Sequence, residues 1–128
     1  MRKIMIVDDE KDICNFVKGF FGARGIEVTC AFDGQEALSV INAINPDLVL
    51  MDIRMPNLDG IQTLAKIKET RPQQKVVMVT CVDDLEKMDE AKRLGALGYI
   101  TKPLVLDELE KKVLNIFKKT EKADAPQS

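Results

Sequence analysis

The chain contains no histidine and no tryptophan, and only one tyrosine, among 128 residues. Without histidine it cannot be a Ser-His-Asp hydrolase, a His-ligated metalloenzyme or a carrier of phosphohistidine. Its three cysteines, Cys14, Cys30 and Cys81, are an odd number at wide spacing with no C-x-x-C. That usage fits reduced thiols better than a disulfide framework or a zinc site, with Cys14 and Cys30 as small core residues. No apolar run approaches the ~20 residues of a membrane span, and Met1-Arg2-Lys3 leads straight into a strand-like run, so neither a membrane segment nor a secretory leader is expected. A cytoplasmic location follows as the expectation. Neither sign of charge dominates: 19 Lys and Arg stand against 21 Asp and Glu, a net charge of -2. The basic residues form no stripe, so direct nucleic-acid binding by this chain is not expected.

What is present suffices for one domain with a real core, since 45% of the residues are hydrophobic. Lys3 to Val7, Leu48 to Met51 and Val76 to Val79 are continuous apolar runs, as strands buried on both faces of a parallel sheet require. Ile26-Glu27-Val28-Thr29-Cys30 alternates apolar and polar, and Leu97-Gly98-Tyr99-Ile100 is short and contains glycine, so these two are expected at the sheet edges. Helical spacing joins Ile13, Phe16, Val17 and Phe20, with Gly22 and Gly25 as stop signals. Asp33 and Glu36 have capping-box spacing before Leu38 and Ile41, and Pro46 closes that region. Ile61, Leu64 and Ile67 mark a third helix, and Leu85, Met88, Ala91 and Leu94 a fourth. Leu106, Leu109, Val113, Ile116 and Phe117 form the clearest stripe.

Strand and helix thus alternate five times, which predicts an α/β fold: a doubly wound, five-stranded parallel sheet of order 2-1-3-4-5, flavodoxin-like. The expected domain runs over residues 1-119, and 120-128 is expected to be a polar tail or a truncated linker.

In such a sheet, ligands bind outside the carboxyl ends of the strands. The first strand ends in Asp8-Asp9-Glu10, the third in Asp52, the fourth in Thr80 and the fifth in Thr101-Lys102-Pro103. Each alone has a bland explanation: a helix cap, a turn residue, a strand end, a solvated lysine. Together they bring carboxylates, a hydroxyl and an ammonium to one rim. Adjacent carboxylates repel unless a cation neutralises them, and an all-oxygen donor set suits Mg2+, which also takes phosphate oxygens. A metal beside a carboxylate, a lysine and a hydroxyl can neutralise a phosphoryl group in transfer, and aspartate is a known nucleophile in such reactions.

At these residues the chain resembles the receiver domains of two-component response regulators, the CheY-like family. The matching motifs are Val7-Asp8-Asp9-Glu10, Leu50-Met51-Asp52-Ile53-Arg54-Met55-Pro56, Val79-Thr80 and Gly98-Tyr99-Ile100-Thr101-Lys102-Pro103, covering about residues 2 to 119. The resemblance implies that Asp52 accepts a phosphoryl group from a histidine kinase or histidine phosphotransfer protein. It implies Mg2+ held by Asp9 directly, by Asp8 mainly through water, by Asp52 and by the backbone carbonyl of Arg54. Lys102 would pair with phosphoryl oxygens, Thr80 would donate a hydrogen bond to one of them, and the Lys102-Pro103 bond would be cis. Thr80 and Tyr99 would form the switch that biases an output surface, through which either a monomer or a homodimer could act. Cys81 departs from the pattern, because a very small residue is usual after the threonine; its bulk narrows the approach of water. Two other functions compete. A phosphorylation-independent interaction domain would not need the complete acceptor site. An aspartate-nucleophile phosphatase normally carries D-x-D after its first strand, whereas Asp52-Ile53-Arg54 follows the third and lacks the second acid.

Overall fold

The computed structural model describes residues 2-124. Five parallel strands, β1 (Lys3–Val7), β2 (Glu27–Ala31), β3 (Leu48–Asp52), β4 (Val76–Thr80) and β5 (Gly98–Thr101), form one sheet of order β2-β1-β3-β4-β5. The helices are α1 (Lys11–Gly22), α2 (Gly34–Ile44), α3 (Gly60–Thr70), α4 (Met88–Arg93) and α5 (Leu106–Asp124). The fold is therefore the doubly wound, flavodoxin-like arrangement, with β2 and β5 at the edges as their patterns required. The helical backbone of α5 extends into the segment expected as a tail, and residues 125-128 lie outside the described residues.

Alternation along the strands sorts the core into two layers. Ile4, Ile6, Leu48, Leu50, Val77 and Val79 pack with Cys14, Val17 and Phe21 of α1 and with Leu109, Val113 and Phe117 of α5. Met5, Val7, Val49, Met51, Val76 and Met78 face Ala37 and Ile41 of α2, Leu64 and Ile67 of α3, and Met88 and Ala91 of α4. Every residue of β3 and β4 is buried, which is why both read as unbroken apolar runs.

The helix ends obey local chemistry. The Asp33 carboxylate accepts from the Glu36 amide at 2.7 Å, and α2 stops at Asn45 in the left-handed region (φ 50°), just before Pro46. Asp59 and Gln62 form a reciprocal capping box that starts α3.

Three local expectations need correction. On α1 the buried face is Cys14, Val17 and Phe21, whereas Phe16 is 48% exposed. Val17 is buried and Ile13 and Phe20 pack, partly buried, against the same layer, so of the expected stripe only Phe16 falls outside, because the apolar residues at 13 to 21 extend over more than one side of the helix. The fourth helix does not begin as an α-helix: Val82–Lys87 is a 3-10 turn, and regular helix starts at Met88. Finally, Cys14 and Cys30 are not separate thiols but a disulfide pair, with Cα atoms 6.0 Å apart. The packing of α1 against the β2 edge brings them together, and no local spacing encodes that contact.

One close approach anchors the loop after β3. A side chain at Gly60 would overlap the carbonyl oxygen of Asp52 and crowd the Cα of Ile53, and the Gly60 amide donates to the Ile53 carbonyl at 2.8 Å. Only glycine lets α3 begin against the backbone that ends β3. Gly60→Ala should therefore cost about 2 kcal/mol or more. A thermal melt would show this as a clear fall in Tm, and an unchanged Tm would contradict the packing.

Candidate functional site

Hydrogen bonding between neighbouring strands carries the rim residues into register. The sheet pairs Val7 with Met51, Asp52 with Val79 and Thr80 with Thr101, so the strand ends lie side by side. The pairing continues one step into the loops. The Asp8 amide donates to the Ala31 carbonyl at 3.0 Å, Ile53 to Val79 at 3.2 Å and Lys102 to Thr80 at 2.7 Å. The backbone thus fixes Asp8, Asp52 and Lys102 before any side chain interacts. The Lys102-Pro103 peptide is cis.

Asp8, Asp9 and Asp52 each offer a carboxylate oxygen, all within 4.8 Å of one another. Asp8 and Asp52 are buried, at 2% and 5% exposure, while Asp9 faces solvent. The Lys102 ammonium lies 3.3 Å from Asp8 Oδ2 and 3.3 Å from Asp52 Oδ2, shared between the two buried acids. Asp8 has a further partner, because the Glu10 amide donates to its Oδ1 at 2.9 Å. One ammonium against three carboxylates leaves two negative charges uncompensated. An all-oxygen cluster with that deficit fits a divalent cation of the hard, oxygen-seeking kind.

The electrostatics express the same deficit. Burial, then the neighbouring Asp8 charge, pushes the Asp52 carboxyl up from 3.8 to about 6, against the opposing pull of Lys102. Burial lowers the Lys102 ammonium, but Asp52 and Asp8 outweigh it and the net shift is upward.

The other expected residues stand in different relations to this cluster. Thr80 is buried at the end of β4, but its hydroxyl donates to the Cys81 carbonyl at 3.0 Å rather than to an acid. Tyr99 lies on the edge strand, 43% exposed, with Lys112 Nζ 5.9 Å from its ring centroid. The Arg54 side chain is clamped by Asp84: Nε donates to Oδ2 at 2.6 Å and Nη2 to Oδ1 at 3.3 Å. This pairing, first through the hydrogen bond, holds the Asp84 carboxyl below its usual range and the Arg54 guanidinium above its own. Asp84 is the residue that sequence reasoning passed over. Nothing in the run Val82-Asp83-Asp84 separates the two acids, and only the 3-10 turn distinguishes them, by burying Asp84 to 4% exposure. Asp9, Glu10, Asp52, Arg54, Cys81, Asp84 and Lys102 line one pocket of about 240 Å³.

Comparison with known proteins agrees with this geometry. Residues 4–114 match the family model described as the response regulator receiver domain. The chain is similar to the regulatory protein AtoC of Escherichia coli, 40% identical over 109 residues, which cover 85% of this chain but 24% of AtoC. It is also similar to the sporulation initiation phosphotransferase F of Bacillus subtilis, 36% identical over 84% of this chain and 86% of that protein. Thus it spans about a quarter of one relative and most of the other. Among solved structures, a CheY-like response regulator receiver domain protein from Methanospirillum hungatei superposes with a TM-score of 0.90 at 32% identity, over 96% of this chain and 98% of that one. The receiver domain of NtrX from Brucella abortus gives 0.84 at 37% identity, over 90% and 98%.

The raised Asp52 carboxyl has a consequence for stability. Folding favours its neutral form, so the cost of burying the anion grows as pH rises from 3.8 to about 6 and is complete above that. In metal-free buffer at pH 8, Asp52→Asn should melt about 3 °C or more above the wild type. That advantage should shrink as pH falls below 6, and also when Mg2+ is added. A variant no more stable than the wild type at pH 8 would contradict the assignment of repulsion and burial to Asp52.

Proposed function

We propose, for a chain that belongs to the family of response regulator receiver domains, that Asp52 is its phosphoacceptor and that the rim around it assists both the gain and the loss of the phosphoryl group. The carrying observation is the cluster of Asp8, Asp9 and Asp52 oxygens within 4.8 Å, with Lys102 reaching two of them. A signalling phosphoacceptor of this kind is not an enzyme in the usual sense, because it is itself the substrate that is modified.

The donor is a phosphohistidine on a partner kinase or phosphotransfer protein, a division of labour that suits a chain with no histidine. A carboxylate oxygen of Asp52 attacks the phosphorus. The new O–P bond forms as the N–P bond breaks, and the imidazole leaves with that electron pair. The raised Asp52 carboxyl remains ionised at neutral pH, since its pKa of about 6 lies below it. Lys102 moves from a carboxylate pair to the incoming phosphoryl oxygens, which carry the spread charge of the transition state. Thr80 turns its hydroxyl from the Cys81 carbonyl to a phosphoryl oxygen, and Tyr99 follows it inward, biasing the face that α4, β5 and α5 form.

Asp8, Asp9, Asp52 and the backbone carbonyl of Arg54 would hold Mg2+. That ion, when bound, supplies positive charge against the three acids and the phosphoryl oxygens. Among the described residues no helix is long and apolar enough to cross a membrane. No feature of the described surface favours the phosphatase alternative. A receiver that works unphosphorylated would leave the buried acids without a purpose.

Intact mass after incubation with Mg2+ and acetyl phosphate should show one added phosphoryl group, absent from Asp52→Asn and absent when the metal is chelated. No adduct with acetyl phosphate and none with a phosphohistidine protein would overturn the phosphoacceptor reading.

A further inference from the structure

The Arg54 and Asp84 side chains join two loops that the sheet leaves open. Arg54 sits two residues beyond Asp52 on the loop after β3, and Asp84 four residues beyond Thr80 in the 3-10 turn after β4. Both line the Asp52 pocket. Their forked contact, at 2.6 and 3.3 Å, is therefore one wall of that pocket.

Burial makes the contact asymmetric. The Asp84 side chain is 6% exposed and the Arg54 side chain 64%. A buried carboxylate needs its partners, and Asp84 has several: the Cys81 thiol donates to Oδ2 at 3.4 Å and Lys87 Nζ lies 3.5 Å from Oδ1. Arg54 is the exposed member, held at the pocket by an anchored acid. The anchor is also tied to the pocket floor. The Cys81 carbonyl accepts from the Asp84 amide at 3.0 Å and from the Thr80 hydroxyl at 3.0 Å. Arg54, Asp84, Cys81 and Thr80 thus form a connected series of polar contacts around one side of the acceptor carboxylate.

We propose that the Arg54–Asp84 ion pair is a latch on the mouth of the Asp52 pocket, and that Asp84, acting through Arg54, is a positioning residue limiting entry of small phosphodonors and of hydrolytic water. The proposal rests on Asp52 being the phosphoacceptor. A latch of this kind slows gain and loss of the phosphoryl group together, because both reactants pass the same wall. A purely electrostatic role would not do so. Removing Arg54 leaves an anion at the mouth that repels the phosphodonor, whereas neutralising Asp84 leaves a cation that attracts it, so the two changes would then act in opposite directions.

The test measures two rates in the full chain with Mg2+: labelling of Asp52 by acetyl phosphate, and loss of the phosphoryl group after the donor is removed. Arg54→Ala leaves the backbone carbonyl in place but strips the buried Asp84 carboxylate of its closest partner, so a thermal melt accompanies it; Asp84→Asn removes the buried charge and keeps the shape of the group. Each should raise both rates by about threefold to fivefold, the size that breaking a half-exposed ion pair allows. The double variant should be no faster than either single one, since one contact can be broken only once. Arg54→Lys, which retains the charge but not the fork, should fall between the wild type and Arg54→Ala. Unchanged or slower rates in both single variants, shifts of opposite sign, or additive effects in the double variant would overturn the latch. A wild type that takes no phosphoryl group at all would overturn the reading of Asp52, and this proposal with it.

Discussion

Three carboxylates cannot share one rim of a sheet without cations, and the surroundings of Asp8, Asp9 and Asp52 can be read as the answer to that constraint. The sheet supplies positions: Asp52 is the last residue of a fully buried strand, and Asp8 follows another by one residue. Lys102 supplies partial compensation, drawn in because its amide continues the β4 to β5 ladder and places its side chain over Asp8 and Asp52. The compensation stops short. The Asp52 carboxyl remains raised to about 6, which marks a site prepared for a further positive charge rather than a finished salt bridge.

That incompleteness connects stability with function. A domain of this size has only ~5–15 kcal/mol of net stability, so burying repelling acids is tolerable only where the rest of the fold is well satisfied. The two apolar layers, the Asp59–Gln62 capping box and the close packing at Gly60 provide that setting. The chemistry then gains from the rigidity. As the proposed nucleophile, Asp52 need not be ordered at the moment of attack, because the β3 ladder and the start of α3 already hold its backbone.

Much of this was legible in the order of residues. Unbroken apolar runs identified β1, β3 and β4 as central, alternation identified β2 as an edge, and the strand ends then listed the rim residues without any knowledge of distance. What escaped the sequence depends on contacts between elements. Asp83 and Asp84 are chemically identical neighbours, and only the 3-10 turn buries the second and hands it Arg54. Cys14 and Cys30 are 16 residues apart, and only the packing of α1 on β2 pairs them. The apolar residues of α1 cover more than its buried face, so periodicity alone could not leave Phe16 outside. The orientation of the Thr80 hydroxyl toward Cys81 is likewise a matter of local geometry that no motif records.

The central claim is that Asp52 sits in an unfinished charge cluster that awaits a divalent cation. The carboxyl carbon of Asp52, followed by NMR through a pH titration of the metal-free protein, addresses it most directly. A midpoint near 6 that falls when Mg2+ is added is the predicted result. A midpoint near the ordinary value of 3.8, indifferent to Mg2+, would contradict the account.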